Sequence, residues 1–515
     1  MKKVFALSLI CFMALGATAV MADTRTNSLG LSAGQQIDDL DSIWLFPQTA
    51  ANYGNVVDYR LENLGSTFGN WFGVIHKDWD DLGYIGIYVR RPMNQFFSAD
   101  FSPFIANNFG ILNGGNNWAS DLDPSNSAWN SNTLSGAFNH VTATYSNIGF
   151  NAFTIQQPQN KADLFWAKDF SDATIGVRLN YAEQDNSGNS TAADTITSGT
   201  PGNGTNLGQT GDGNTSVIGL DLGVSLKNLG ALSGLDLALG YSLGSANYTG
   251  VNNRQEGGIN EVKYNDKLSD DNISELRANA VAKAAINDNA TMRIFAGARL
   301  DNLGFKQNFQ ADFNNNNNYT DAGETQNIKN SYSDTNFNVG LACTHKVADG
   351  KALVIVGISG IYDDRNWKQF GASNLAGSST ADQLFNDSSD TEQETWWEVP
   401  VNAAVEAPIF GWLKARVGAN FDLMSQYTEK IVQPTNQTAA GTAFQDQTSV
   451  SATWNPYQSI NFTMGASAEF QNFTLDLQMN PSAFETYLKA FQPGNGIFYG
   501  TAPNMFTSAE LKYAF

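Results

Sequence analysis

The residues of this chain that could do chemistry are charges set at alternate positions of apolar, glycine-rich stretches. "ATIGVRLNY" (173–181) carries Arg178, "VIGLDLGVSLK" (217–227) carries Asp221 and Lys227, and "GLDLALGYSLG" (234–244) carries Asp236. "TMRIFAGARL" (291–300) holds Arg293 and Arg299, and "GWLKARVGANFDL" (411–423) holds Lys414, Arg416 and Asp422. Asp301, Glu406, Glu469, Asp476, Glu510 and Lys512 fall in register with them. Unpaired charges are very costly away from water, so a face lined this way must be wetted or tied into ion pairs. Two uses are open. The charges can neutralise one another and stiffen a wall. Alternatively, Arg178, Asp221, Asp236, Arg293, Arg299, Lys414, Arg416 and Asp422 can form a ladder that orients polar solutes in a narrow pore.

A second kind of chemistry is hinted at in "DFNNNNNYTDAGE" (312–324), which resembles a calcium loop. Calcium takes six to eight hard oxygens, and alternating Asn and Asp with a terminal Glu can supply them. Asp312, Asn315, Asn317, Asp321 and Glu324 are the candidate ligands, although Phe313 occupies the first position and Asp312 stands one residue out of register. A plain Asn-rich loop accounts for the same residues. Apart from this possible structural Ca2+, no cofactor is expected. Catalysis finds little support, because His76, His140 and His345 sit in no metal or nucleophile motif.

What positions these charges is a period of two. In 217–227, Ile218, Leu220, Leu222, Val224 and Leu226 share one face, opposite Gly219, Asp221, Gly223, Ser225 and Lys227. Such segments recur from about residue 172, joined alternately by short turns and by long Asn/Gly/Ser/Thr-rich stretches such as 183–214. Strands of about nine or more residues match a tilted membrane crossing. Trp166, Trp367, Trp396, Trp397 and Trp412 collect near strand ends, as interfacial girdles require. No stretch of eighteen apolar residues follows the N-terminus, so no transmembrane helix is expected. The pattern predicts an all-β fold: a transmembrane antiparallel up-and-down β-barrel of about 14–16 strands, with short periplasmic turns and long extracellular loops. About twelve strands lie beyond residue 172. Earlier ones are expected near 82–91, 138–147, 148–156, 161–168 and 68–77.

The net charge of −21 argues against nucleic acid as a partner. The opening "MKKVFALSLICFMALGATAVMADT" reads as a secretory signal peptide over residues 1–22. Cys343 is then the one cysteine left, and a disulfide within the chain is excluded. Near the other end, "NPSAFETYLKAFQPG" (480–494) reads as a short helix.

Two resemblances add to this reading. The ending "ELKYAF" resembles the C-terminal assembly signal of bacterial outer-membrane proteins, with Leu511, Tyr513 and Phe515 at the matching alternate positions. It implies the outer membrane as location, with membrane lipids, lipopolysaccharide and the barrel-assembly machinery as partners. "SLGLSAGQQIDDLDSIWLFP" (28–47) is similar to the opening of the FadL-like transporter superfamily, through Asp38, Asp39, Ser42, Ile43, Trp44 and Pro47. Phe46 and Gln48 depart from that pattern. The resemblance implies a plug over residues 23–65 ahead of a barrel over 66–515. The lumen charges favour a porin-like channel passing small polar solutes or ions. The plug resemblance favours a FadL-like carrier of hydrophobic molecules, and a non-transport envelope or secretion-associated barrel stays open.

Overall fold

The computed structural model describes residues 24–64, 67–77, 82–90, 159–185, 188–190, 205–256, 259–312, 325–373, 386–432, 447–453, 460–479 and 506–515. Its strands are β1 (Val56–Leu64), β2 (Thr67–Lys77), β3 (Tyr84–Val89), β4 (Gln159–Asp169), β5 (Ala173–Asp185) and β6 (Gly188–Ser190). Next come β7 (Thr205–Leu229), β8 (Leu232–Glu256), β9 (Ile259–Asn287), β10 (Ala290–Asp312), β11 (Thr325–Val347) and β12 (Ala352–Ser373). β13 (Asn386–Phe410), β14 (Leu413–Val432), β15 (Gln447–Thr453), β16 (Asn461–Phe470), β17 (Phe473–Met479) and β18 (Phe506–Ala514) complete the set.

Every strand pairs antiparallel with its sequence neighbour, and β18 returns to pair with β1, so the sheet closes on itself. β5 and β6 both pair with β7, and β15 and β16 both pair with β14. Each such pair is one wall strand in two pieces, which makes the wall 16-stranded. Twelve of those wall strands begin beyond residue 172, as the hydropathy period predicts. Closure leaves no edge with unpaired backbone groups, the condition for a sheet to stand in lipid.

The short connections gather at one end. Gly230-Ala231 joins β7 to β8, and Gly411-Trp412 joins β13 to β14. In the first of these, Asn228 and Gly230 take positive φ (57° and 67°), which tight hairpins need. Outward-facing Leu220, Leu222, Leu239 and Val339 are exposed, while their inward neighbours Asp221, Gly223 and Gly340 are buried. An even-stranded closed wall with an apolar exterior and a polar interior is a membrane-spanning barrel of the bacterial outer-membrane type.

Three expectations are corrected here. The wall starts at Val56, within the range 23–65 expected to form the plug, because β1 closes the barrel between β18 and β2. Much of the polar sequence expected as loop is strand: β9 alone runs 29 residues, about 95 Å of extended chain and far more than one crossing. Above the membrane both faces are wet, so the hydropathy alternation vanishes while backbone groups still pair. Finally, Trp396 is not in the girdle. Trp397 faces outward beside Tyr362 at 4.6 Å, so its neighbour must face in, where Arg365 stacks over Trp396 at 4.3 Å. Trp166 and Trp412 keep outward positions, whereas the side chain of Trp367, the strands expected near 138–147 and 148–156, the helix at 480–494, His140 and the signal peptide lie outside the described residues.

Candidate functional site

Residues 24–55 fold into the lumen instead of the wall. They form α1 (Thr24–Leu29), α2 (Ser42–Leu45) and a 3-10 turn over Pro47–Tyr53, with most side chains buried. Local chemistry shapes the segment. Gly30 and Gly34 supply positive φ at two bends (64° and 76°), the Ser42 hydroxyl accepts from the Asp39 amide at 3.0 Å, and Pro47 starts the 3-10 turn.

Apolar side chains dock this plug on three parts of the wall. Leu40, Ile43, Ala50 and Ala51 pack with Trp71, Ile75, Tyr88 and Phe165 of β2–β4. Leu29, Leu31 and Ile37 pack with Ile355 and Ala404, and Phe46 with Val281, Phe295 and Ala342. Where plug backbone meets wall backbone, the wall presents glycine. Gly176, Gly223, Ala238, Asn279 and Gly297 are successive cross-strand neighbours on β5, β7, β8, β9 and β10, a shelf of mostly small side chains. Gln48 rests on its first two members, and a Cβ on Gly176 would lie 2.1 Å from the Gln48 nitrogen.

Charges complete the attachment. On one side, Arg25 of the plug meets Glu406 at 2.9 Å, and Glu406 also pairs with Arg416 at 2.7 Å. Arg416 continues to Asp476 at 2.6 Å, and Asp476 to Lys512 at 3.3 Å. Lys512 reaches Glu510 at 3.1 Å, and Glu510 reaches Arg60 at 2.7 Å. Arg60 binds Asp58 and, through both of its terminal nitrogens, Asp41 of the plug. On the other side, Lys283 and Arg293 both donate to Asp38 at 3.0 Å. Gln36 adds a neutral contact, donating to Asn402 at 2.8 Å.

The residues expected to line the lumen separate on this geometry. Arg178 is fully buried, pairs with Asp221 at 2.6 Å and donates to the Trp44 carbonyl at 3.2 Å. Asp221 also holds Arg277 at 2.9 Å. Asp236 pairs with Lys283 at 2.7 Å and accepts from Ser225. Arg299 binds Asp301 at 2.9 Å and Asp334 at 2.8 Å. Lys414 meets Glu469 where the wall is more exposed, and Asp422 is half-buried. Asp301, Glu406, Asp476, Glu510 and Lys512 thus belong to the same paired interior.

Of the plug-motif residues, Asp38, Asp39 and Trp44 contact wall side chains, with Lys512 3.7 Å from Asp39. Ser42 and Pro47 set the plug's own turns. Arg25, Asp41, Arg60 and Arg277 are key members that the hydropathy reading passes over. A signal for Arg60 and Arg277 exists: Asp58 and Arg60, Glu275 and Arg277, Arg299 and Asp301, and Glu510 and Lys512 are opposite charges two residues apart, on one face of one strand.

Asp38 gives this attachment a pH dependence. Burial alone would raise its pKa, but hydrogen bonding and attraction from Arg293, with help from Lys283, lower it to about 2. A depressed carboxylate stabilises docking above its ordinary value of 3.8 and loses that contribution as pH falls towards 2. The side chain is 45% exposed, so solvent screening keeps the effect modest. Cleavage of the plug by an acid-active protease should rise between pH 4 and pH 2, and Asp38→Asn should flatten that rise.

On the outer face, Leu511 and Tyr513 are half-buried and Phe515 is exposed. Tyr513 lies 4.5 Å from Phe473, and Phe515 stacks on His76 at 5.9 Å while its amide donates to Asn55, across the strands that close the barrel. Asp312 ends β10, and the other candidate calcium ligands lie outside the described residues.

No protein-family model and no curated protein matches the chain. Among solved structures, the toluene transporter TodX of Pseudomonas putida aligns over 97% of this chain and 100% of its own, at 9% identity and a TM-score of 0.36. A TodX deltaS2S3 mutant, titled a monoaromatic hydrocarbon channel, aligns over the same shares at 9% identity and a TM-score of 0.37. The ferric yersiniabactin receptor FyuA of Yersinia pestis aligns over 90% of this chain and 80% of its own, at 8% identity and a TM-score of 0.31. Identities and scores of this size leave function to be read from the barrel itself.

Proposed function

We propose that this chain is an outer-membrane channel for small molecules in which the N-terminal plug is the gate. The observation that carries this reading is the two-sided docking of residues 24–55. Arg25 and Asp41 join the wall on one side, and Asp38 joins it on the other. Pro47 and Gln48 of the plug also sit against Gly176 and Gly223, the first two members of the shelf.

A permanently open, charge-selective pore fits this geometry less well. Selectivity by a charge ladder needs side chains free to act on a passing ion. Here Arg178, Asp221, Asp236, Arg293, Arg299 and Arg416 are all held in ion pairs. A mutually neutralised interior offers little to a charged solute and favours cargo of low charge, closer to a FadL-like carrier than to a porin.

Planar-bilayer recording tests the gate. The mature protein is expected to conduct rarely. Deleting residues 24–53 should give steady steps at least about tenfold larger in mean current, since an emptied 16-stranded barrel encloses an aqueous channel. Silence from both proteins would overturn the reading and point to a non-transport barrel.

A further inference from the structure

We propose that a polar notch over Gly219, on the inner face of β5, β7 and β8, is a binding site for a small neutral molecule with adjacent hydroxyl groups, a short diol or polyol. This extends the channel reading above by naming a class of solute for the lumen, and its test needs no open pore.

Strand register builds the site. Asp163, Asn180, Gly219, Ser242 and Glu275 are successive cross-strand neighbours on β4, β5, β7, β8 and β9, and all five are buried. Their row lies four residues beyond the shelf pair Gly176 and Gly223, about 13 Å further from the short turns. It therefore stands on the long-connection side of the shelf against which Pro47 and Gln48 rest.

At Gly219 the missing side chain leaves a gap between its two neighbours. A Cβ there would lie 2.6 Å from the Ser242 hydroxyl and 2.7 Å from both terminal atoms of the Asn180 carboxamide. Asn180 and Ser242 are 3% and 0% exposed, and none of these three atoms has a hydrogen-bond partner among the described residues. Buried polar atoms left without partners are costly, so three of them converging on one gap point to an occupant that bonds them.

The surroundings select its chemistry. An apolar molecule would leave all three atoms unmet. An anion would face the carboxylates of Asp163 and Glu275 at the two ends of the row. A cation gains little, because Glu275 and Asp221 each hold Arg277 at 2.9 Å, and Arg277 also attracts Asp163. A hydroxyl donates and accepts at once, which suits a carboxamide on one side and a serine on the other. Two adjacent hydroxyls reach both sides of the gap together. One row further on, the buried side chains of Ala182, Val217 and Ile273 offer an apolar surface to the carbon atoms of such a molecule.

Saturation-transfer NMR on the full-length mature protein in nanodiscs tests the site, with propane-1,2-diol as the probe. The controls are 1,2-dimethoxyethane, which cannot donate a hydrogen bond, and propionate, which is charged. The diol signal should saturate with concentration and exceed both controls at least about fivefold. Gly219→Ala fills the gap and should bring it down to the control level. Ser242→Ala should weaken binding several-fold, the effect of one hydrogen bond. Should Gly219→Ala fail to assemble, Asn180→Leu takes its place with the same expected loss. A diol signal no larger than the controls, or one that these variants leave unchanged, would overturn the proposal and mean that the notch holds water only. If that happens while the plug-deleted protein conducts, the channel reading survives. Specific diol binding beside a silent plug-deleted protein would uphold the site and sink the channel.

Discussion

Replacing Arg60 by alanine is expected to destabilise the barrel more than any other single truncation of its interior. Arg60 is 1% exposed and lies among Asp41, Asp58 and Glu510, with Trp71 stacked on its guanidinium. Asp58 and Glu510 are themselves 1% and 0% exposed. Removing the cation that bridges them leaves like charges close together where water screens poorly, with Lys512 still beside Glu510 at 3.1 Å, a change that typically costs about 3–5 kcal/mol. The damage falls on the strands that close the wall, because Arg60 on β1 is the direct cross-strand neighbour of Glu510 on β18. Heat-modifiability on gels should show Arg60→Ala unfolding at a clearly lower temperature than the parent. Changing Asp41, Asp58 and Glu510 to their amides in the same chain, with Arg60→Met, should recover much of the loss, since a neutral buried cluster has no charge to compensate. An unaltered unfolding temperature for Arg60→Ala would falsify the view that this cluster holds the closure.

Valine at Gly176 and Gly418 together is expected to expel the plug and leave the wall intact. A Cβ at Gly418 would lie 2.1 Å from the Leu29 carbonyl oxygen, and one at Gly176 would lie 2.1 Å from the Gln48 nitrogen. Both of these plug obstacles are backbone, so no rotamer change relieves them, whereas the wall's Thr463 hydroxyl, 2.4 Å from the Gly418 position, can rotate away. Neither glycine has a positive φ, and valine suits an extended strand better than glycine does. The double variant should assemble normally, conduct like the plug-deleted protein and expose residues 24–55 to protease. A closed, protease-resistant double variant would mean that the plug can yield without leaving the lumen, and the steric account of docking would be wrong.

How much of this could be read in advance differs from element to element. Ile218, Leu220 and Leu222 alternate with Gly219, Asp221 and Gly223 because one face meets lipid and the other the interior, so β7 was legible over that stretch. Further up the same strand, Thr205–Asn214 pairs with β8 though it reads as loop, because water on both faces removes the contrast that hydropathy detects. Trp396 and Trp397 look equivalent as neighbours in sequence, and only the direction of alternation separates a membrane-facing ring from one held under Arg365. Charged residues were legible as inward-facing. Their partners were not, since Arg25 and Glu406 are 381 residues apart and meet only when the plug is in place.

By itself the sequence determined the antiparallel barrel wall, its approximate strand number and, in alternating stretches such as 217–227, the side that faces lipid. Those follow from a period of two and from the need to satisfy every backbone group in a bilayer, both local or near-local constraints. Tertiary structure alone decided whether the lumen is open. Whether Arg178 or Arg416 meets a solute or a carboxylate depends on which strands stand opposite and on what occupies the space between them. The same holds for the inward glycines, which read as weak strand formers and act as clearance for the chain that folds back among them.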